Sequence, residues 1–98
     1  MIKISIKENN GIIEEVSITG HAMYDDFGKD IVCSSVSSIV ITTVNAIERI
    51  DKDSISYIEN PFTLKTIKNN DITNKLLTNM ISLLQELQEQ YPKNIKIL

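Results

Sequence analysis

Residues 2–7, Ile-Lys-Ile-Ser-Ile-Lys, alternate apolar and polar side chains, so Ile2, Ile4 and Ile6 share one face. A period of two marks a half-buried strand. A second alternating run, Glu14 to Thr19, sets Val16 and Ile18 together. Asn9-Asn10-Gly11 lies between the runs and reads as a hairpin turn. A two-residue Asn10-Gly11 turn in regular register would set Ile4 against Ser17 and mix the faces. A three-residue loop with Gly11 left-handed sets Ile4 against Val16 and Ile2 against Ile18. The second register matches apolar with apolar and is the one expected.

After Gly20 comes a loop carrying Asp25, Asp26, Gly28 and Lys29. Residues 31–50 then run on without a break, too long for an ordinary strand. Val32, Val36, Ile39, Val40, Thr43, Ile47 and Ile50 recur at three- and four-residue steps. That spacing predicts a buried helix over 31–50, although its β-branched residues oppose a helix locally. Asp30 stands where its N-cap belongs. Residues 54–59 and 62–67 predict two more strands hinged at Asn60-Pro61. From Ile72, the set Leu76, Leu77, Met80, Ile81, Leu84, Leu87 and Tyr91 predicts an amphipathic helix, capped by Asp71 or Asn70. Pro92 ends it, because the residue before a proline avoids helical geometry. The tail Asn-Ile-Lys-Ile-Leu can add a fifth strand. The order β-β-α-β-β-α-β describes an α+β fold, one domain over residues 1–98, with a mainly antiparallel sheet packed with two helices.

Composition narrows the partners more than the chemistry. The chain has 98 residues, 42% hydrophobic and 23% charged, with a net charge of −3. These are the proportions of an ordinary soluble domain. The acidic balance carries no basic footprint, so direct nucleic-acid binding is not expected. No long apolar run stands out as a membrane span or signal-peptide core, so no membrane partner is expected either. A lone cysteine forms no internal disulfide, and a reducing, cytoplasmic location is the default.

Chemistry concentrates in residues 20–38, which hold both the only histidine, His21, and the only cysteine, Cys33. With Asp30 as N-cap, Cys33 is the third helical residue. Unpaired amides and the positive end of the helix dipole surround that position, and both favour a thiolate. Such a thiolate is a nucleophile, and neighbouring amides can form an oxyanion hole. His21 closes a strand just before the loop into this helix. There it could take the thiol proton and return it to a leaving amine. The plainer readings are a core cysteine and a strand-end histidine. A metal site would draw on His21, Cys33 and the loop carboxylates. One imidazole and one thiol make a thin ligand set, so no metal and no cofactor is expected.

Gly20-His21-Ala22, followed by Gly28-Lys29-Asp30-Ile31-Val32-Cys33-Ser34 and then Val36-Ser37, resembles the ribosomal-processing cysteine proteases (Prp) of bacteria. There a short Gly-His-Ala motif precedes a Gly-x-Asp-Ile-Val-Cys motif by this distance. The pair of motifs is specific, where either alone is weak. Met23 and Ser35 stand where the family often has smaller residues. The resemblance implies a homodimeric endopeptidase that removes the N-terminal extension from the precursor of a large-subunit ribosomal protein, cutting after a hydrophobic residue, typically phenylalanine. It implies Cys33 as nucleophile and His21 as general base. Asp30 supports them by orienting His21, capping the helix, or both. Gly20, Ala22 and Gly28 belong to the substrate loop. The rival reading is a non-catalytic ribosomal-protein-binding or ribosome-assembly module with a structural Cys33. A redox sensor, the third reading, needs an exposed Cys33 and no histidine.

Overall fold

The computed structural model describes residues 1–20, 31–59 and 61–98. In these the chain runs β1 (Ile2–Asn9), β2 (Ile12–Thr19), α1 (Ile31–Asp51), a short 3-10 turn (Lys52–Ser54), β3 (Ile55–Glu59), β4 (Phe62–Thr66), α2 (Asp71–Gln90) and β5 (Ile95–Ile97). The order is the expected β-β-α-β-β-α-β. The described strands form a five-stranded sheet in the order β3-β4-β2-β1-β5. All pairings are antiparallel except that of β1 with β5, which is parallel.

The β1–β2 hairpin departs from the expected register. Ile4 pairs with Ile18 and Ile6 with Val16. The turn is the two-residue Asn10-Gly11, with φ of 54° and 79°. Positive φ at both central residues matches the right-handed twist of the flanking strands, which is why Asn-Gly is favoured there. A regular two-residue hairpin would bring apolar residues opposite polar ones. A bulge between Lys7 and Glu8 prevents it, since Lys7 pairs with Glu15 and Glu8 with Ile13. The extra residue on β2 is Glu14. It lets Ile13 and Val16, an odd number of residues apart, both face the core, where they are 1% and 0% exposed. The Thr66 hydroxyl donates to the Ile13 carbonyl at 3.0 Å. The Ile13 amide donates to the Asn74 side chain at 2.9 Å, and the Asn74 amide group donates to the Gly11 carbonyl at 3.1 Å. Asn74 on α2 therefore clips the hairpin tip to the helix.

One face of the sheet carries the core. Ile2, Ile4, Ile13, Val16, Ile18, Ile55, Leu64 and Ile95 are buried with the apolar stripes of both helices. The other face shows Lys3, Ser5, Lys65, Ser56 and Lys96 to solvent. On α1 the buried residues are Val32, Cys33, Val36, Val40, Thr43, Val44 and Ile47. The valines are poor helix formers but pack well on a pleated surface, and packing decides. Ile50, expected inside, is 52% exposed, because the stripe ends at Ile47. By length and composition alone, the segment Ile31–Ser54, with an 18-residue window of mean hydropathy 1.5, would pass as a membrane span, although no such span was expected. A buried stripe of this kind is also what a core helix needs.

On α2 the buried residues Leu77, Met80, Leu84 and Leu87 lie on the expected stripe. Of the two candidate caps, Asn70 is the one used: its side-chain oxygen accepts from the amides of Ile72 and Thr73. Its amide group donates to Asp51 at 2.9 Å, and Lys68 pairs with the same carboxylate at 2.9 Å. The Lys68 ammonium, followed by the Asn70 amide, holds the Asp51 carboxyl below its ordinary pKa. The buried Ser54 and Thr73 hydroxyls bond at 2.8 Å beneath this junction. Asn70 thus caps α2 and joins its start to the end of α1. Asn70→Ala is expected to lower stability by about 0.5–2 kcal/mol, at the upper end because two functions go at once. A urea midpoint unchanged from the parent protein would refute this.

Candidate active site

Cys33 is the third residue of α1, the position read from the sequence. Its side chain is 7% exposed and belongs to the core cluster with Val32 and Val36. That burial removes the main support for a redox sensor, which needs an accessible thiol. It also explains why Cys33 reads equally well as a packing residue. His21, Ala22, Gly28 and Asp30 lie outside the described residues.

Gly20 is described and its role is geometric. It ends β2 with φ of 71°, in the left-handed region that disfavours side chains. A Cβ at this position would overlap the backbone carbonyl of Met1. The glycine before His21 therefore lets the chain turn off β2 directly beside β1. Gly11 also has positive φ, but a Cβ there meets open space.

Sequence reasoning did not find the feature next to Cys33. A cleft of about 380 Å³ opens between α1 and the sheet, lined by Ile18, Val36, Val40, Val44, Tyr57 and Phe62. Tyr57 and Phe62 form one wall, with ring centroids 6.0 Å apart. Val36 is three residues beyond Cys33, so the cleft begins within about one helical turn of the thiol. Its walls come from four separate elements, and no local pattern announces it. Along the outer side of the helices a second hollow lies between Ile31, Ser34 and Ser38 of α1 and Leu83 and Leu87 of α2.

A five-stranded α+β sheet with a lone thiol at the head of its central helix, beside an apolar cleft, has the framework of a small thiol hydrolase. Comparison with known proteins makes the class definite. Residues 1–96 match the family described as cysteine protease Prp. The ribosomal processing cysteine protease Prp of Staphylococcus aureus strain Mu50 is 33% identical over 103 residues, covering 99% of this chain and 97% of that protein. Two crystal structures of the Staphylococcus aureus protease superpose closely. With a substrate peptide, the TM-score is 0.84 at 30% identity, covering 100% of this chain and 98% of that one. With a covalently linked product peptide, it is 0.85 at 33% identity, covering 99% and 97%. The chain belongs to the cysteine protease Prp family, a family of ribosomal processing enzymes. Membership decides for an enzyme over a non-catalytic binding module.

Both Gly20→Ala and Gly11→Ala place a side chain at positive φ, which costs about 1–2 kcal/mol. Only Gly20→Ala adds a backbone overlap. Thermal melts should therefore show the larger loss for Gly20→Ala. Equal losses, or a larger one for Gly11→Ala, would mean that the approach to Met1 is not constraining.

Proposed function

We propose that this protein is a homodimeric cysteine endopeptidase that removes the N-terminal extension of a large-subunit ribosomal protein precursor through a Cys33–His21 dyad. One observation carries the reading. The chain belongs to a cysteine protease family and has a single cysteine, which stands near the N-terminus of α1. The relative seen with a covalently linked product peptide supports a covalent route.

In this mechanism the Cys33 thiolate attacks the scissile carbonyl carbon, and His21 takes up the thiol proton. The carbonyl oxygen becomes an oxyanion within reach of the amides at the start of α1. Collapse of the tetrahedral adduct expels the amine, which receives the proton from His21, and leaves a thioester on Cys33. Water, deprotonated by His21, attacks the thioester. The acid product leaves, and Cys33 returns as thiolate. Asp30 orients His21, caps α1, or does both. Gly20, Ala22 and Gly28 shape the loop over the substrate. No cofactor enters the cycle. A ribosomal-protein substrate puts the enzyme in the cytoplasm, in line with a chain that has a single cysteine.

The dimer rests on the resemblance, supported by apolar side chains left outside: Ile31 is 63% exposed and Leu83 39%. Light scattering at micromolar concentration should give twice the 11.1 kDa chain mass. A particle of one chain mass would overturn the dimer.

Incubation with the ribosomal-protein precursor of the same organism should yield two fragments by mass spectrometry. Cys33→Ser should abolish cleavage while a thermal melt still shows a cooperative fold, because the hydroxyl is close in volume but far weaker as a nucleophile. His21→Ala should lower turnover by about 10²–10⁴-fold, the usual worth of a positioned base. Undiminished cleavage by Cys33→Ser would end the nucleophile assignment.

A further inference from the structure

The solvent face of the sheet carries a charge pattern that the chain total of −3 conceals. Strand pairing sets its side chains in rows. Lys96, Lys3 and Thr19 stand side by side across β5, β1 and β2, all exposed. Ser5, Ser17, Thr63 and Ile58 form the next row, across β1, β2, β4 and β3. Neither row holds a side-chain carboxylate. Lys7, Glu15 and Lys65 form a third row, in which Glu15 lies between two lysines and pairs with Lys7 at 3.9 Å. Glu8 and Glu14 lie beyond that row, toward the hairpin tip. Lys93 is exposed in the turn before β5, next to Asn94, whose carbonyl accepts from the Ile2 amide. The uncompensated positive charge therefore gathers at the Lys3–Lys96 end of the face.

Lys3 and Lys96 are direct neighbours on parallel strands, and like charges so placed repel. The Lys7–Glu15–Lys65 row shows the ordinary solution on the same sheet, an acid between the cations. An anion over Lys3 and Lys96 removes their repulsion and gains from both charges. The hydroxyls of Ser5, Ser17 and Thr63, in the adjoining row, can donate to its oxygens. With about 3.3 Å per residue along β1 and about 4.8 Å between strands, the four lysines span roughly 13 Å by 14 Å. That is wide and flat, and suits a repeating anion better than a single one. None of the three rows contains an aromatic ring, so the face has nothing on which unpaired bases can stack, the usual hold on a single strand. An RNA duplex offers phosphates and 2′-hydroxyls across a wide, shallow minor groove, and asks only for cations and hydroxyls.

We propose that the solvent face of the sheet docks on the backbone of double-stranded RNA, without regard to sequence, through Lys3, Lys96 and Lys65 and the hydroxyls between them. The whole-chain balance that speaks against nucleic acid does not describe this face. Both helices and the cleft lie on the other side of the sheet, so docking leaves them uncovered. The surface is separate from the Cys33–His21 dyad and does not rest on it.

The probe is a short, fluorescently labelled RNA duplex of arbitrary sequence, and binding is read by anisotropy over about 50–200 mM salt. Three phosphate contacts should give a slope of log affinity against log salt of about −3. Lys3→Gln and Lys96→Gln should each make that slope shallower by about 1. Lys75→Gln, exposed on α2, should leave it unchanged. All three variants should keep the parent melt, since each of these lysines is exposed. A single strand of the same length should bind more weakly than the duplex, and vesicles rich in phosphatidylserine should not bind. Absence of duplex binding at about 50 mM salt overturns the proposal, as does binding that Lys3→Gln and Lys96→Gln leave unchanged. Equal or tighter binding of the single strand or the vesicles also overturns it. So does loss of a dimer in Lys3→Gln or Lys96→Gln by light scattering, which would make the face an interface between two copies. Failure of the protease reading would appear in cleavage, which none of these measurements reads.

Discussion

Val36, Val40, Val44 and Ile47 of α1 have to reach the sheet, and only one of its faces can receive them. The strands set polar side chains on the opposite face, from Lys3 and Ser5 on β1 to Ser56 on β3. Both helices therefore share a single apolar surface, and the core is a two-layer sandwich of strand isoleucines against helix valines and leucines. Burying an aliphatic side chain is worth about 1.5–3 kcal/mol, so this contact outweighs the few tenths that β-branched residues lose in a helix. Once the stripe is seated, its phase fixes the start of α1 as well. Cys33, one residue after Val32 and three before Val36, is carried inward with them.

That constraint explains why so much of the fold is legible along the chain. Alternation in residues 2–7 and the three- and four-residue steps of both helices are local records of a single buried face. Asn70, Asn10-Gly11 and Pro92 mark boundaries by their own backbone preferences. The β1–β2 register was not legible, although Asn10-Gly11 named its turn. Ile13 and Val16 lie three apart, so a strand of strict period two cannot bury both. The bulge that reconciles them is stabilised by Thr66 and Asn74, more than fifty residues away. A choice of register made from matching apolar pairs alone therefore settles on the wrong loop length.

The candidate site divides in the same way. The helix-start position of Cys33 follows from Asp30 and the periodic residues after it, and the structure keeps it. The burial of Cys33 is set by what packs over it from elsewhere. The cleft is a still longer-range property, made from β2, α1, β3 and β4. Tyr57 gave no sign in the sequence of lining a cleft, because its partner Phe62 belongs to the next strand. The two rings meet only once β3 and β4 pair, with Glu59 opposite Phe62.

A buried thiol in an enzyme of this class needs a reason, and the packing supplies one. The valine stripe that draws Cys33 inward also keeps water from its apolar side and lines the adjacent cleft. In the proposed mechanism the fixed amides at the start of α1 stay available to a developing oxyanion. One helix then serves both the fold and the proposed chemistry. Its inner stripe holds the fold, and its first turn carries the cysteine to which the proposed mechanism assigns the attack. The same economy leaves little freedom for change, because a substitution along Val36, Val40 or Val44 alters the core and the cleft together. Ile41, at the cleft's rim, exposed to solvent and outside the core cluster, can change without loss of the fold.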